Sequence, residues 1–238
     1  MTAVSLVIGL GEVGRPLREV LGRVHRIQGI DLPPEDVQGP VEFMHVAYPA
    51  ELANFLDVTA SYTRRYRPQI IVIHSTVPVG TTRAVQRAVD VPVVHSPVRG
   101  KHARMAEELL SYTKFVGTAD PAVAERVELH LRAAGMRTKR LSSAEATELA
   151  KLTETTYFGL LISFAQDVAR MARASGVDYE EVSSFYQEIG YLPPVRFFPG
   201  VIGGHCVMPN VALLKQKYES RLLEAIEWSN ALRRAEGP

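Results

Sequence analysis

The sequence predicts an α/β protein: a doubly wound parallel sheet over the first part of the chain, then an α-helical domain with one long helix. Three observations carry that expectation. Short apolar runs alternate with amphipathic stretches up to about residue 140, three glycines stand between the first run and the first stretch, and from about Ser142 the alternation gives way to a single long helical pattern. Apolar runs that are continuous rather than alternating suit strands covered on both faces, the condition of a parallel sheet.

The 238 residues can build two small domains with true cores. Hydrophobic residues make up 46% and charged residues 22%, a globular rather than a disordered composition. Lys and Arg number 27 against 26 Asp and Glu, so no overall field draws the chain to nucleic acid or to a membrane surface, and anion binding has to be local. A single cysteine excludes an intrachain disulfide. The N-terminal apolar run breaks into glycines too early for a secretory or membrane segment, and the cytoplasm is the expected compartment.

In order, strands are expected in "AVSLVIGL", "IQGIDL", "VEFMHVAY", "QIIVIHST", "VPVVHSP" and "KFVGTA". The intervening "VGRPLREVLGRV", "PAELANFLDVTASYTRRY", "GTTRAVQRAV" and "PAVAERVELHLRAAG" read as helices, the last closed by Gly135. The spacing then predicts one helix over 142–175, opening on Ser with Glu145 near and ending at Gly176. At the standard rise such a helix spans roughly 45 Å, more than one small domain uses, so part of it is expected to pack on a second copy in a homodimer. A short helix in "DYEEVSSFYQEIG", a Pro- and Gly-rich loop, and one final helix from about Pro209 to Arg234 complete the chain. The domain division is set at 1–140 and 141–238.

Gly9, Gly11 and Gly14 lie between strand and helix, as a dinucleotide fingerprint of the Rossmann type requires. Gly9 serves the tight turn. The segment Gly11, Glu12, Val13 would bring backbone close to a pyrophosphate at the helix N-terminus, and Gly14 lets helix and strand approach. Asp31, ending the second strand, can accept from both ribose hydroxyls and would repel a 2′-phosphate, which favours NAD over NADP. Ser75 and Thr76 follow the strand "QIIVI", either at an edge where open α/β sheets place ligands or simply as a hydroxyl-capped loop.

His95, Arg99, Lys101, His102 and Arg104 crowd one short stretch, a local positive patch suited to phosphate or carboxylate or else a solvated face. Lys151 and Thr155 share a face of the long helix. An ammonium there could steady an oxyanion or be an ordinary surface group. Cys206 follows the paired glycines Gly203 and Gly204 just before a helix start, where a thiol feels the positive end of the helix dipole; a lone cysteine is otherwise commonly packed and inert.

Taken together, "GLGEVG", "HSTVPVGTT", "HSPVRG", "AEATELAKLTETTYFGLLISFAQDVARMARASGVD" and "PGVIGGHC" resemble the UDP-glucose/GDP-mannose dehydrogenase family, NAD-dependent enzymes that oxidise a sugar-nucleotide primary alcohol to a carboxylate. The resemblance implies that Cys206 is the nucleophile, Lys151 steadies the oxyanion and Thr76 helps position water. It implies hydride transfer from the alcohol to NAD, attack of the thiolate on the aldehyde, a second hydride transfer from the thiohemiacetal, and hydrolysis of the thioester. Arg99, Lys101 and His102 fall on the substrate side, together with Gly203 and Gly204.

The sequence also departs from the family pattern. Val98 stands where the family has a Glu, Thr155 where it has an Asn, and Asn210 where it has an Asp, which places thioester hydrolysis under question and makes His95 or His102 a candidate replacement acid/base. The family's further α/β domain is not expected after the last helix. The expected substrate is accordingly polar and anionic, either smaller than a nucleotide sugar or covered by a lid from another protein. A catalytically lapsed NAD-binding subunit, and a β-hydroxyacid dehydrogenase using Lys151 as acid/base, are the other readings.

Overall fold

The structure is a computed structural model that describes residues 3–31, 35–50, 54–100, 102–186, 189–190 and 197–237, the side chain of residue 102 excepted. The chain divides into two compact units, Met1–Lys151 and Leu152–Pro238. The division falls at 151/152 where the sequence suggested 140/141, because the first two turns of the long helix pack within the first unit.

The first unit is a seven-stranded sheet in the order β2-β1-β3-β4-β5-β6-β7. Its strands are β1 (Val4–Ile8), β2 (Ile27–Ile30), β3 (Val41–Val46), β4 (Ile70–Ile73), β5 (Val93–His95), β6 (Lys114–Gly117) and β7 (Thr138–Leu141). Neighbouring strands run parallel except β5 and β6, which meet antiparallel through the single pair His95 and Gly117. β1 and β4 are buried throughout. Helices α1 (Gly14–Leu21), α4 (Met105–Ser111) and α5 (Pro121–Ala133) supply Leu17, Val20, Met105, Val127 and Leu131 to one apolar layer. Helices α2 (Phe55–Tyr66) and α3 (Thr81–Ala88) supply Phe55, Tyr62, Tyr66 and Val85 to the other. Each fully buried Leu or Ile contributes about 1.5–3 kcal/mol, and two covered faces explain why the strands read as unbroken apolar runs.

Two elements were not foreseen. α4 is short, and β7 has an exposed polar pattern, "TKRL", with none of the apolar signal of a buried strand. It is held as an edge strand by its ladder to β6.

The long helix α6 spans Ala144–Ala174 and stops at Gly176, whose φ of 70° a side chain would resist. The second unit holds its greater part with α7 (Tyr179–Ser184), α8 (Val207–Lys215) and α9 (Arg221–Ala235). The single final helix expected from Pro209 to Arg234 is instead two. Residues 215–219 are exposed, so the apolar period lapses, and the Lys217 and Tyr218 amides both fold back on the Leu214 carbonyl to end α8. Ser220 restarts the chain in extended conformation as the N-cap of α9. Among the described residues no helix is long and apolar enough to cross a membrane.

Candidate active site

In the first unit, Gly9 has a φ of 90° and a Cβ built on it would lie 2.8 Å from the Tyr48 backbone nitrogen. A Cβ on Gly14 would lie 1.8 Å from the Gly9 carbonyl oxygen. The fold itself demands both glycines. At Gly11, by contrast, a Cβ would meet no protein atom within 4 Å, so packing gives no reason for glycine there, whereas close approach of a ligand to the backbone does. Val13, the N-cap of α1, makes no side-chain cap bond and the first turn carries no acid, leaving the positive end of the helix for an anion. Asp31 is exposed immediately past the end of β2. These residues fit a dinucleotide: Gly11 to Gly14 would hold its pyrophosphate and Asp31 its ribose hydroxyls.

Ser75 is buried. Its hydroxyl donates to the Tyr48 carbonyl at 2.6 Å and its own carbonyl lies 3.2 Å from His95 Nε2. Because a carbonyl only accepts, that ring nitrogen carries the proton, and His95 Nδ1 accepts from the Thr147 hydroxyl at 2.8 Å. Burial pushes the His95 imidazole down to about 3. The suggestion that His95 replaces the missing carboxylate therefore fails on geometry: the ring is fully buried and both nitrogens are committed.

Sequence reading missed the surroundings of this edge. His74 Nδ1 lies 2.7 Å from the Ser96 carbonyl and so donates, His74 Nε2 then accepts from His45 Nδ1 at 2.9 Å, and His45 Nε2 accepts from His130 Nε2 at 3.1 Å. His25 closes the chain, its Nε2 2.8 Å from the His130 carbonyl and its ring stacked on His130 at 3.9 Å. Buried Lys114 donates to the same Ser96 carbonyl at 2.5 Å. Burial, with neighbouring bases second, holds His45, His74 and Lys114 well below their ordinary values, and burial pushes His130 down to about 3. An imidazole in an apolar strand leaves the periodicity unchanged; only the strand order brings these together. They form a chain, and among the described residues no three His, Cys, Asp or Glu side chains gather as metal ligands would.

The expected positive patch does not form as a group. His95 is internal, Arg104 pairs with Glu108 at 3.2 Å, and the Arg99 guanidinium lies 5.4 Å from the Tyr112 ring and 5.5 Å from the Phe115 ring. Lys101 and the side chain of His102 lie outside the described residues. Val98 is packed in the core beside Val94 and Met105. Thr76 is half-buried after β4, and Lys151 half-buried on α6, near enough for its charge to act on His95 and Lys114.

In the second unit Cys206 is exposed as the N-cap of α8, three residues after Gly203 and two after Gly204, whose φ is 74°. The helix begins at Val207, earlier than Pro209. Three side chains unmarked in the sequence hold the loop: Gln166 donates to the Gly200 carbonyl at 2.7 Å, Arg233 to the Pro199 carbonyl at 2.8 Å, and Asn230 both accepts from the Ile202 amide at 2.7 Å and donates to its carbonyl at 3.0 Å. Buried Asn210 donates through Nδ2 to Thr155 Oγ1 at 2.6 Å. Two positions that depart from the family pattern are thus bonded to each other. Gly159 lets α8 approach α6, since a Cβ there would lie 2.4 Å from Val207.

Residues 145–234 match the UDP-glucose/GDP-mannose dehydrogenase family, central domain. The UDP-N-acetyl-D-mannosamine dehydrogenase of Pyrococcus horikoshii is 29% identical over 160 residues, which are 62% of this chain and 38% of that protein. The chain thus spans well under half the length of this curated relative. The solved structure of UDP-D-ManNAc dehydrogenase from Pyrococcus horikoshii superposes with a TM-score of 0.84 at 19% identity, covering 98% of this chain and 69% of the other. Mycobacterium tuberculosis 3-hydroxyisobutyrate dehydrogenase superposes with a TM-score of 0.75 at 15% identity, covering 98% and 94%. At these identities the superpositions establish the fold.

Proposed function

Starting from the match of residues 145–234 to the UDP-glucose/GDP-mannose dehydrogenase family, central domain, we propose that the protein is an NAD-dependent oxidoreductase acting on a primary alcohol or aldehyde of a polar, anionic substrate of nucleotide-sugar type. The observation that carries the reading is Gly11, a glycine that packing does not require in a turn whose other two glycines packing does. The similarity to a UDP-N-acetyl-D-mannosamine dehydrogenase supports a substrate of that class.

When bound, NAD would accept hydride from the carbinol carbon. The protein's own residues do the rest. The Cys206 sulfur adds to the aldehyde carbonyl to give a thiohemiacetal, and after its oxidation the thioester is cleaved by water. Lys151 would stabilise the oxyanion, and Thr76 would orient the water. An exposed sulfur on a loop pinned from several sides suits a nucleophile that must meet a substrate in one geometry. Neither Asn210 nor His95 is placed to act as a base, so cleavage of the thioester is the slowest step of this course and release of the aldehyde is its alternative outcome.

The homodimer belongs to the same reading. On α6, Tyr157, Phe164 and Met171 recur at intervals of seven and are each more than half exposed, an apolar stripe that a second copy would cover.

The test is spectrophotometric: purified protein with NAD and UDP-N-acetyl-D-mannosamine should reduce NAD, and product analysis separates aldehyde from acid. Absence of reduction with any nucleotide sugar, with NAD binding intact, would instead support the lapsed-subunit reading, which buried Val98 and the Asn210 to Thr155 bond favour.

A further inference from the structure

Glu148 has no part in the chemistry proposed above, yet it is a fully buried carboxylate. Its Oε2 accepts from the Gly80 amide at 2.6 Å and its Oε1 from the Thr82 amide at 2.8 Å. α3 begins at Thr81, and its N-cap, Gly80, has no side chain and a φ of 102°. Local sequence cannot cap this helix; a carboxylate 68 residues further on does so.

The other end of the same loop is also fixed. The Ser75 hydroxyl is bonded to Tyr48 and the Ser75 carbonyl to His95, which in turn takes the hydroxyl proton of Thr147. Thr147 and Glu148 are adjacent on α6, and Lys151 lies four and three residues beyond them, on the same face. The turn cannot shift along the sheet, because a Cβ on Gly117 would already lie 2.3 Å from Thr147 Oγ1 and 2.6 Å from the Ser143 carbonyl. Pro78 and Thr81 of the clamped loop help line a cavity of about 340 Å³ with Asn54, Phe55 and Asp57.

We propose that Glu148 is a positioning residue: its carboxylate locks the loop that carries Thr76 against the turn of α6 that carries Lys151, and so sets the spacing between these two groups. An ionised carboxylate satisfies both amides at once. A carboxamide accepts from one and turns its own N–H groups on the other, so Glu148→Gln preserves volume and breaks the register. The inference rests on the dehydrogenase reading for its effect on turnover, but not for its effect on the loop.

The experiment uses the full chain with NAD and UDP-N-acetyl-D-mannosamine, in wild type, Glu148→Gln, Glu148→Asp, Lys151→Ala and the Glu148→Gln/Lys151→Ala double variant. Glu148→Gln is expected to lower kcat at least tenfold with KM within about twofold, and to lower it less than twofold further once Lys151 is Ala. Glu148→Asp, which keeps the charge, should recover part of the loss. Independent multiplication of the two effects, or wild-type kcat in Glu148→Gln, overturns the proposal. Amide exchange read by mass spectrometry supplies the measurement that does not need turnover: peptides covering residues 75–84 and 144–152 should both exchange at least tenfold faster in Glu148→Gln, with the β1 and β4 peptides unchanged. If wild type reduces no NAD, the functional reading fails and the clamp is judged by exchange alone. Unchanged exchange in either peptide overturns it, and so does uniform loss of protection throughout the unit.

Discussion

The carboxyl edge of the sheet and the cysteine loop solve opposite problems. At the sheet edge, His45, His74, His95, His130 and Lys114 are buried bases that share carbonyls and one another's ring nitrogens. At the cysteine loop the thiol is exposed, and the residues that hold the loop, Gln166, Asn230 and Arg233, bond to its backbone. The first arrangement obtains stiffness from groups that must stay neutral, so it is bound to depend on pH. The second fixes a backbone while leaving the side chain open, so it can be altered at the sulfur with little effect on the fold.

Altering the sulfur should give the largest effect. Cys206→Ala is expected to reduce turnover by about 10³-fold or more while NAD affinity is kept and stability stays within about 0.5 kcal/mol, as measured by steady-state kinetics and thermal unfolding. Retained turnover would end the covalent mechanism and with it the distinction between the regions.

Acid should act on the sheet edge alone. The folded-state values of its histidines lie below those of the unfolded chain, at about 3 for His95 and His130. Stability is therefore complete above about pH 6.5 and is lost as pH falls from there toward 3, since the unfolded chain takes up the protons. Each buried neutral histidine should cost about 1.4 kcal/mol per pH unit through that window. Urea unfolding from pH 7 to 4 checks this, and His130→Phe should flatten the slope. Lys114, whose burial disfavours its charged form, works against folding at every pH below its ordinary range; Lys114→Met should raise unfolding free energy at pH 7 by about 1 kcal/mol or more.

The glycine turn sharpens the contrast within the first unit. Gly14→Ala, forced against the Gly9 carbonyl, should cost about 2–4 kcal/mol of stability. Gly11→Ala should leave unfolding unchanged and weaken NAD at least about tenfold, read by calorimetry. A smaller effect is expected in the second unit: Asn230→Ala strips two bonds from Ile202 and should cost about 1–3 kcal/mol, measured by thermal unfolding, and lower turnover by loosening the loop.

What the sequence could disclose followed from local rules. A turn that needs positive φ or close approach admits only glycine, so Gly9 and Gly14 were legible; a strand covered on both faces is an unbroken apolar run, so β1 and β4 were; α6 was readable from its period and from Gly176 at its end. The break between α8 and α9 was lost because a lapse of five residues resembles a solvated helical face. β7 was lost because an edge strand carries no apolar signature.

By itself, then, the sequence determined the α/β class, the glycine turn after β1, the long helix and the placing of Cys206 after paired glycines, because each depends on neighbours within a turn or a strand. Tertiary structure alone decided which groups share a hydrogen bond: His45 with His74 and His130, Glu148 with Gly80 and Thr82, Asn210 with Thr155. Those partners are separated by 29 to 85 residues of chain, and a hydrogen bond depends on distances of a few tenths of an ångström that no spacing along the sequence encodes.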